Sequence, residues 1–250
     1  MAKSYAKQQA LWQIQQMAEM YGEQIGESFK GSTVYTTGFS QKPEARYKAT
    51  AICAKPVDTV SAIFDTMSQD VTVLNFASYQ YPGGGFLNGS KAQEESLCHS
   101  SYLYNVLFGF EEFYNWNRKH RDSGLYRNRG IYTPGVVFVK DLRFKRVDVI
   151  SVAAPNKNAA LTHGVTEAEN SKALESRIKF VLDIASRHGA STLILGAYGC
   201  GVFGQDPVEV ANIFKKQLTT RYQGVFQEVI FAVPPGNRNY QVFNEVFGND

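Results

Sequence analysis

Apolar positions recur at helical spacing in the first part of the chain and in short, dense runs after it. Between residues 1 and 30 they lie three or four positions apart, which is the spacing of one face of an α-helix. These positions are Leu11, Ile14, Met17, Tyr21 and Ile25. Residues 31–47 are polar and turn-rich, so residues 1–47 are predicted to form a helical extension that packs on the main domain.

From residue 48 onward, apolar runs rich in β-branched residues alternate with segments of helical period, which predicts strands and helices in turn. The predicted strands cover residues 48–54, 71–76, 136–139, 147–154, 191–195 and 229–233. The predicted helices cover residues 58–67, 92–107, 166–188, 206–218 and 237–247, and residues 109–133 show no regular period. Typical helix starts are Asp58, the Thr166–Glu169 capping box and the Asp206–Pro207 pair. We expect one α/β domain over residues 1–250, with a parallel or mixed sheet covered by helices on both faces.

The composition narrows the class of protein but not its ligand. Hydrophobic residues make up 44% of the chain and charged residues 20%, as in a folded globular protein, and a net charge of +3 is too small to predict binding to nucleic acid. No apolar run reaches the length of a membrane span, so no membrane partner is expected. Cys53, Cys98 and Cys200 are widely spaced without metal-site motifs, so we expect no structural metal, no disulfide framework and a cytoplasmic location.

Two glycine-rich segments each follow a predicted strand and precede a predicted helix. The first contains Gly83, Gly84 and Gly85, and the second runs from Gly196 to Gly204. Ligands of α/β proteins bind beyond the carboxyl ends of strands, and the N–H groups of such loops hold anions. Neither segment has the Gly-Lys-Ser/Thr phosphate loop or the dinucleotide-binding fingerprint, which disfavours a nucleoside triphosphatase and a nicotinamide-dependent dehydrogenase.

Glu94 and Glu95 lie in the first turn of the helix that follows the first glycine segment. Acidic residues are common in the first turn because they interact favourably with the helix dipole. If Glu94 and Glu95 had only this structural role, we would expect their side chains to be solvated. The nearby glycines and the preceding Gln93 favour a second interpretation, in which the carboxyl groups perform acid/base chemistry on a sugar linked to a phosphate. Asn75, at the end of the preceding strand, either satisfies loop amides or binds a ribose hydroxyl group.

Other candidate residues have structural as well as functional interpretations. Phe203 is either a core residue or an aromatic lid over a sugar or base, and Cys200 has no His or Asp partner in the sequence that would predict a nucleophile. The basic side chains between residues 118 and 129 are interleaved with aromatic residues and could contact nucleic acid, but a solvated loop is the favoured interpretation. They are Arg118, Lys119, Arg121, Arg127 and Arg129.

The first glycine segment and the acidic pair together resemble the signature of a known family. Three glycines, a gap of seven residues at 86–92 and then Gln93-Glu94-Glu95 are similar to the signature of the microbial-type poly(ADP-ribose) glycohydrolases, which have the macrodomain fold. The resemblance covers roughly residues 70–235. It extends to 74–78, 131–134, 153–156 and 196–207.

The resemblance implies a three-layer α/β/α macrodomain with a mixed central sheet, and ADP-ribose bound in a cleft between the two glycine loops. Glu95 would then protonate the leaving ribose oxygen, Glu94 would position the distal ribose and Gln93 would frame the first loop. The implied ligand-binding positions are Asn75, Gly83, Gly84, Gly85 and Gln93, with Gly199, Cys200, Gly201 and Val202 around the diphosphate and Phe203 on the distal ribose. The substrate would be poly(ADP-ribose) on modified proteins, and the chemistry would need no metal or cofactor.

Two residues depart from the family pattern. Tyr81 precedes the proline of the first loop, where the family often has a polar residue, and Ser78 stands where many macrodomains have an asparagine that binds the distal ribose. Either could change which bond is cleaved. The alternatives are therefore a hydrolase of mono-ADP-ribose linkages on protein or nucleic acid and a module that binds ADP-ribose without cleaving it.

Overall fold

The computed structural model describes residues 2–248, and a seven-stranded mixed sheet lies at its centre. The strands are β1 (Thr33–Tyr35), β2 (Ala51–Lys55), β3 (Val71–Phe76), β4 (Gly130–Lys140), β5 (Arg143–Val152), β6 (Thr192–Leu195) and β7 (Glu228–Ala232). Their order across the sheet is β1-β4-β5-β3-β6-β7-β2. Strands β5, β3, β6, β7 and β2 are parallel, and β4 pairs antiparallel with both β1 and β5.

Helices cover both faces of this sheet. The α-helices are α1 (Ala2–Gly31), α2 (Thr59–Asp65), α3 (Gln93–His99), α4 (Leu103–Phe108), α5 (Glu111–Lys119), α6 (Lys157–Thr162), α7 (Glu167–Arg187), α8 (Pro207–Thr219) and α9 (Arg238–Phe247). Single turns of 3-10 helix form at Phe86–Asn88 and Asp122–Gly124. Asp58, Thr166 with Glu169, and Asp206 cap their helices as predicted. Within residues 2–248, no helix combines the length and hydropathy of a membrane span.

The alternation of side chains along each central strand produces two hydrophobic cores. Leu193 and Leu195 of β6 pack with α7, α8 and α9, whereas Ile194, between them, packs with α2, α3 and α4 on the opposite face. A parallel strand buried on both faces needs such a continuous apolar run. The predicted α/β/α architecture with a mixed sheet is confirmed.

The N-terminal extension contributes to the sheet as well as to one helical layer. Helix α1 buries Met17, but Leu11 is 48% exposed and the neighbouring Ala10 is buried in its place. Strand β1 adds an antiparallel edge strand to β4. The Arg46 side chain donates to the backbone oxygens of Gly189 and Val225, so the loop after β1 is tied to the main body.

The prediction of one helix over residues 92–107 is wrong. Helices α3 and α4 are separate, and Ser101 between them forms an isolated bridge with Phe138 of β4. The Ser101 hydroxyl donates to the Leu97 oxygen at 2.7 Å and accepts from the Leu103 N–H at 3.1 Å. It therefore ends one helix and begins the next, as serine commonly does at helix boundaries.

The prediction of an irregular segment over residues 109–133 is also wrong. Helix α5 lies within it, with acidic residues in its first turn and basic residues in its last, and β4 begins at Gly130 rather than at 136. A bulge between Thr133 and Val136 interrupts the alternation along β4, which is why the sequence pattern starts late. Strands β4 and β5 form a hairpin, so strands and helices do not alternate strictly after residue 48.

Candidate active site

A cleft of about 640 Å³ lies at the carboxyl ends of β3, β6 and β7. Ligands of open α/β sheets bind at this edge because the loops that follow parallel strands gather there. Both glycine segments reach the cleft, which brings together two parts of the chain more than 100 positions apart. Its lining includes Ser78, Gly84, Gln93, Glu94, Glu95, Gly199, Gly201, Val202 and Phe203.

The first glycine segment packs closely on the acidic pair. A Cβ atom on Gly84 would lie 2.6 Å from Glu95 Oε1 and 2.9 Å from Glu94 Oε2, and one on Gly83 would lie 2.6 Å from the Tyr104 ring. Gly83 and Gly84 have φ angles of +66° and +58°, which side chains rarely adopt. Gly84 is therefore required by the close approach of this backbone to the two carboxyl groups, and Gly83 by its packing on the Tyr104 ring.

The Gln93 side chain anchors helix α3 to the central strand. The pairing of β3 with β6 ends at Val73, and beyond it Gln93 Nε2 donates to the Leu74 oxygen while Gln93 Oε1 accepts from the Phe76 N–H, both at 2.8 Å. The carboxamide thus takes the place of a neighbouring strand residue. This anchor fixes the start of the helix that carries the acidic pair.

The opposite end of α3 is held by the N-terminal helix. Gln13 Nε2 donates to the oxygens of Cys98 and His99, both at 2.8 Å, and Gln13 Oε1 lies 3.1 Å from His99 Nδ1. The last carbonyls of a helix have no partner within it, so this side chain satisfies two of them. His99 acts as a packing residue here, with its ring against Phe86.

Glu94 is buried with both carboxyl oxygens engaged. Its side chain is 3% exposed, Oε1 accepts from Asn75 Nδ2 at 3.2 Å, and Oε2 accepts from the Ser78 N–H at 2.6 Å. Burial is the largest influence and raises the pKa of Glu94 to about 8, against the lowering effect of these donors. The group is therefore protonated at neutral pH in the free protein.

The raised pKa of Glu94 predicts how stability changes with pH. Between its ordinary value of 4.5 and about 8, the folded chain holds a proton that the unfolded chain has released, so this group makes the folded state less stable as pH rises. Glu94→Gln mimics the neutral acid and removes this effect. We expect the free energy of unfolding of Glu94→Gln to rise relative to wild type by up to about 1.4 kcal/mol per pH unit across this window. Urea unfolding at pH 5 and pH 8 measures it, and an equal difference at both pH values would contradict it.

Glu95 differs from its neighbour in having one free oxygen. The side chain is 6% exposed, Oε1 accepts from the Gly85 N–H at 2.7 Å, and among the described residues Oε2 has no hydrogen-bond partner. A buried carboxyl oxygen without a partner is costly, and it points to a role in the cleft that Glu95 lines. One oxygen is thus fixed, and the other lacks a protein partner at the wall of the cleft.

Asn75 lies behind the acidic pair. It is fully buried, and its Nδ2 donates to Glu94 Oε1 and to Ser151 Oγ, at 3.2 and 3.0 Å. These contacts correspond to neither interpretation offered by the sequence, since Asn75 holds a carboxyl group in place rather than loop amides or the open cleft. Its Oδ1 has no partner within residues 2–248 and can accept a hydrogen bond from the protonated Glu94 carboxyl group if the amide is turned over.

The second glycine segment lines the cleft with three consecutive residues, Gly201, Val202 and Phe203. Among the described residues, the N–H groups of Gly201, Val202 and Phe203 donate to no protein acceptor, and Val202 is 83% exposed. Asn158 fixes the loop from behind, because its Nδ2 donates to the Val202 oxygen and its N–H to the Phe203 oxygen. Consecutive free N–H groups in such a loop suit an anion.

Cys200 contributes its backbone to this loop rather than its thiol to the cleft. The side chain packs toward the core that contains α7 and α8, and burial raises the pKa of the Cys200 thiol to about 12. A thiol that stays protonated is a poor nucleophile. Within residues 2–248, no group of three or more His, Cys, Asp or Glu side chains is placed to hold a metal ion.

Several residues near the site were not identified as functional from the sequence. Asp58 and Asn237 were recognised only as helix caps or starts, yet both line the cleft, as do Lys91 and Asn239. For Asp58, Asn237 and Asn239 the available signal was their position after β2 or β7, because those strand ends meet at the same sheet edge. Tyr81 is exposed beneath the Arg118 guanidinium, 5.6 Å from the ring centre.

The basic segment between residues 118 and 129 supports the site instead of forming a uniformly solvated loop. Arg118 donates to the Gln80 oxygen and Arg129 to Asn117 Oδ1, both at 2.8 Å. Asn117 in turn donates to the Tyr79 oxygen at 2.8 Å. These bonds tie helix α5 to the chain just before the first glycine segment.

The sequence and the structure are both similar to those of known proteins. The family model described as "Microbial-type PARG, catalytic domain" matches residues 6–141, which include the first glycine segment, the acidic pair and nearly all of helix α1. Poly(ADP-ribose) glycohydrolase from Thermomonospora curvata is 33% identical to this chain, and the match covers 90% of this chain and 89% of that one with a TM-score of 0.79. The structure of the same enzyme bound to the inhibitor ADP-HPD is also 33% identical, and the match covers 90% of this chain and 88% of that one with a TM-score of 0.78. The Deinococcus radiodurans enzyme in complex with ADP-ribose is 30% identical with a TM-score of 0.79, covering 89% of this chain and 96% of that one. No curated protein sequence matches significantly.

Proposed function

This chain belongs to the microbial-type poly(ADP-ribose) glycohydrolase family, and on that premise we propose that Glu95 is the general acid with which it releases ADP-ribose from poly(ADP-ribose). The bond hydrolysed is the O-glycosidic bond between two ribose units. Complexes of relatives with ADP-ribose and with the inhibitor ADP-HPD support ADP-ribose as the bound unit. Polymer attached to modified proteins is the proposed natural substrate.

The geometry of Glu95 carries this proposal. Its carboxyl group lines the cleft with Oε1 fixed by the Gly85 N–H and Oε2 without a partner among the described residues. A general acid needs to be held in one orientation and still present an oxygen to the leaving group. Glu94, whose two oxygens are both engaged, is less suited to that role, and because it also lines the cleft we assign it to positioning the distal ribose.

The second glycine loop orients the substrate for this reaction. The free N–H groups of Gly201, Val202 and Phe203 would hold the diphosphate, and the Phe203 ring would contact the distal ribose. The anomeric carbon of that ribose then lies between the loop and the acidic pair. Binding energy from the diphosphate thus fixes the reacting bond beside Glu95.

Bond cleavage requires one proton and one water molecule. Glu95 donates its proton to the ribose oxygen of the next unit as the glycosidic bond breaks, and the distal ribose becomes an oxocarbenium-like species. Water adds to the anomeric carbon and its proton returns to the Glu95 carboxylate, which regenerates the acid. Because burial raises the pKa of Glu94 to about 8, this neighbour is neutral near pH 7 and places no negative charge beside the acid.

A panel of defined substrates tests this function. Poly(ADP-ribose) and peptides that carry a single ADP-ribose unit on serine or glutamate are incubated with wild-type protein, and released ADP-ribose is quantified by mass spectrometry. We expect release from the polymer at a kcat/KM at least about tenfold above that for either peptide. Faster release from a peptide would replace the polymer with a mono-ADP-ribose linkage, and binding without release from any substrate would identify a reader.

A further inference from the structure

The segment that joins α5 to β4 has an unusual backbone. Asp122, Ser123, Gly124 and Tyr126 all have positive φ angles, of +46°, +53°, +96° and +61°. Asp, Ser and Gly tolerate this region in turns, whereas a bulky tyrosine rarely occupies it. Such strain persists only where the surrounding structure imposes the conformation, and it is concentrated at functional sites.

Buried polar contacts impose this conformation. The fully buried Arg177 donates from Nε to Asn128 Oδ1 at 2.7 Å and from a terminal nitrogen to the Leu125 oxygen at 3.2 Å. The Asn156 N–H donates to the Gly124 oxygen at 2.9 Å. Tyr126 is thus held between two anchored neighbours at the carboxyl end of β5.

The Tyr126 ring connects the two glycine segments. It stacks on the Tyr79 ring, with centroids 4.2 Å apart and planes at 10°, and it meets the edge of the Phe203 ring at 6.1 Å and 65°. Tyr79 precedes the first glycine segment and Phe203 belongs to the second. Among the described residues, Tyr126 is the aromatic side chain in ring contact with Phe203.

Tyr79 is a firm support for this arrangement. It is 2% exposed, its hydroxyl donates to the His120 oxygen at 3.1 Å, and its own backbone oxygen is held by Asn117. Phe203, by contrast, follows the exposed Val202 and has free space on its cleft side. The ordered ring of Tyr79 therefore limits where Tyr126, and through it Phe203, can lie.

We propose that Tyr126 is a positioning residue for substrate: its ring, fixed by Tyr79 and by the left-handed backbone, sets the position of Phe203 at the sugar end of the cleft. This inference rests on the proposed function, in which Phe203 contacts the distal ribose. Tyr126 does not line the cleft and acts through Phe203. Its loss lowers substrate affinity without removing the acid.

A double-mutant cycle between positions 126 and 203 tests the proposal, with dissociation constants for ADP-ribose and kcat and KM for poly(ADP-ribose). Tyr126→Gly removes the ring and suits the positive φ angle, and Tyr126→Asn is a second variant that tolerates this backbone. We expect each to raise the ADP-ribose dissociation constant about five- to tenfold and KM in parallel, with a smaller change in kcat. In the Phe203→Ala background, Tyr126→Gly should add less than about twofold.

Two further variants separate positioning from a merely structural role. Tyr126→Phe keeps the ring and should restore affinity to within about twofold of wild type. Leu142→Gly makes the same backbone change at another left-handed residue, with φ +62° and 99% exposure in the hairpin turn after β4, and should leave binding unchanged. Thermal unfolding of every variant confirms that it is folded at the assay temperature.

The outcomes distinguish this inference from the function on which it rests. Coupled effects at positions 126 and 203 support the proposal, whereas effects that simply multiply would overturn it. If Phe203→Ala left ADP-ribose binding and KM unchanged, the assigned role of Phe203 would fail and the inference with it. Failure of wild-type protein to release ADP-ribose would instead contradict the proposed function, whatever the binding results.

Discussion

Glu95→Gln is expected to lower kcat for release of ADP-ribose from poly(ADP-ribose) by about 1,000-fold or more, while the ADP-ribose dissociation constant stays within about threefold of wild type. The carboxamide keeps the shape of the side chain, and its oxygen can still accept the Gly85 N–H that now binds Oε1. What it cannot do is transfer a proton to the leaving ribose oxygen. This one variant should therefore lose catalysis while it keeps ADP-ribose binding.

Single-turnover kinetics and titration calorimetry with ADP-ribose measure the two quantities on the same preparations. Glu112→Gln is the matched control, because Glu112 is an exposed carboxylate in the first turn of another helix, α5. It should leave both quantities unchanged. Turnover by Glu95→Gln within tenfold of wild type would exclude Glu95 as the general acid, and lost binding would show that the carboxylate holds the ligand.

Elements with strong local signals were predicted correctly from the sequence. The Thr166–Glu169 capping box begins α7, and the apolar run of β3 covers residues 71–76 as expected. In each case the determining contacts lie within a few residues of one another. Helix α5 was missed because its buried face consists of Phe113, Tyr114 and Asn117, too few apolar positions to give a helical period.

The candidate site was predictable only in part for the same physical reason. The spacing between the glycines and the acidic pair is local, so the sequence indicated both. The roles of Gln93 on β3, Gln13 on α3 and Arg177 beneath the loop at 125–128 depend on contacts between segments distant in the chain. Tyr126 could not have been singled out, because its significance lies in a backbone angle and two ring contacts.

Gly84→Ala is expected to lower kcat for the polymer by about 100-fold or more, although it removes no carboxyl group from the protein. The new Cβ would lie 2.6 Å from Glu95 Oε1 and 2.9 Å from Glu94 Oε2, distances at which the carboxyl groups have to move. A displacement of about 1 Å at reacting groups can cost this much in rate. The positive φ of +58° adds strain of about 1 kcal/mol, which the control has to separate from the displacement.

Gly164→Ala provides that control, because Gly164 has a φ of +80° and no atom within 4 Å of the position of its Cβ. Both substitutions impose a left-handed backbone on alanine, which should lower the melting temperature by about 2–4 °C for a chain of this size, and the clash with the acidic pair should lower that of Gly84→Ala further. Only Gly84→Ala should lose activity, because only there does the methyl group meet the acidic pair. Equal losses of activity would show that backbone strain, and not the position of the carboxyl groups, accounts for the effect. If Gly84→Ala retained full activity, the close packing of the glycine loop on Glu94 and Glu95 would not be needed for catalysis.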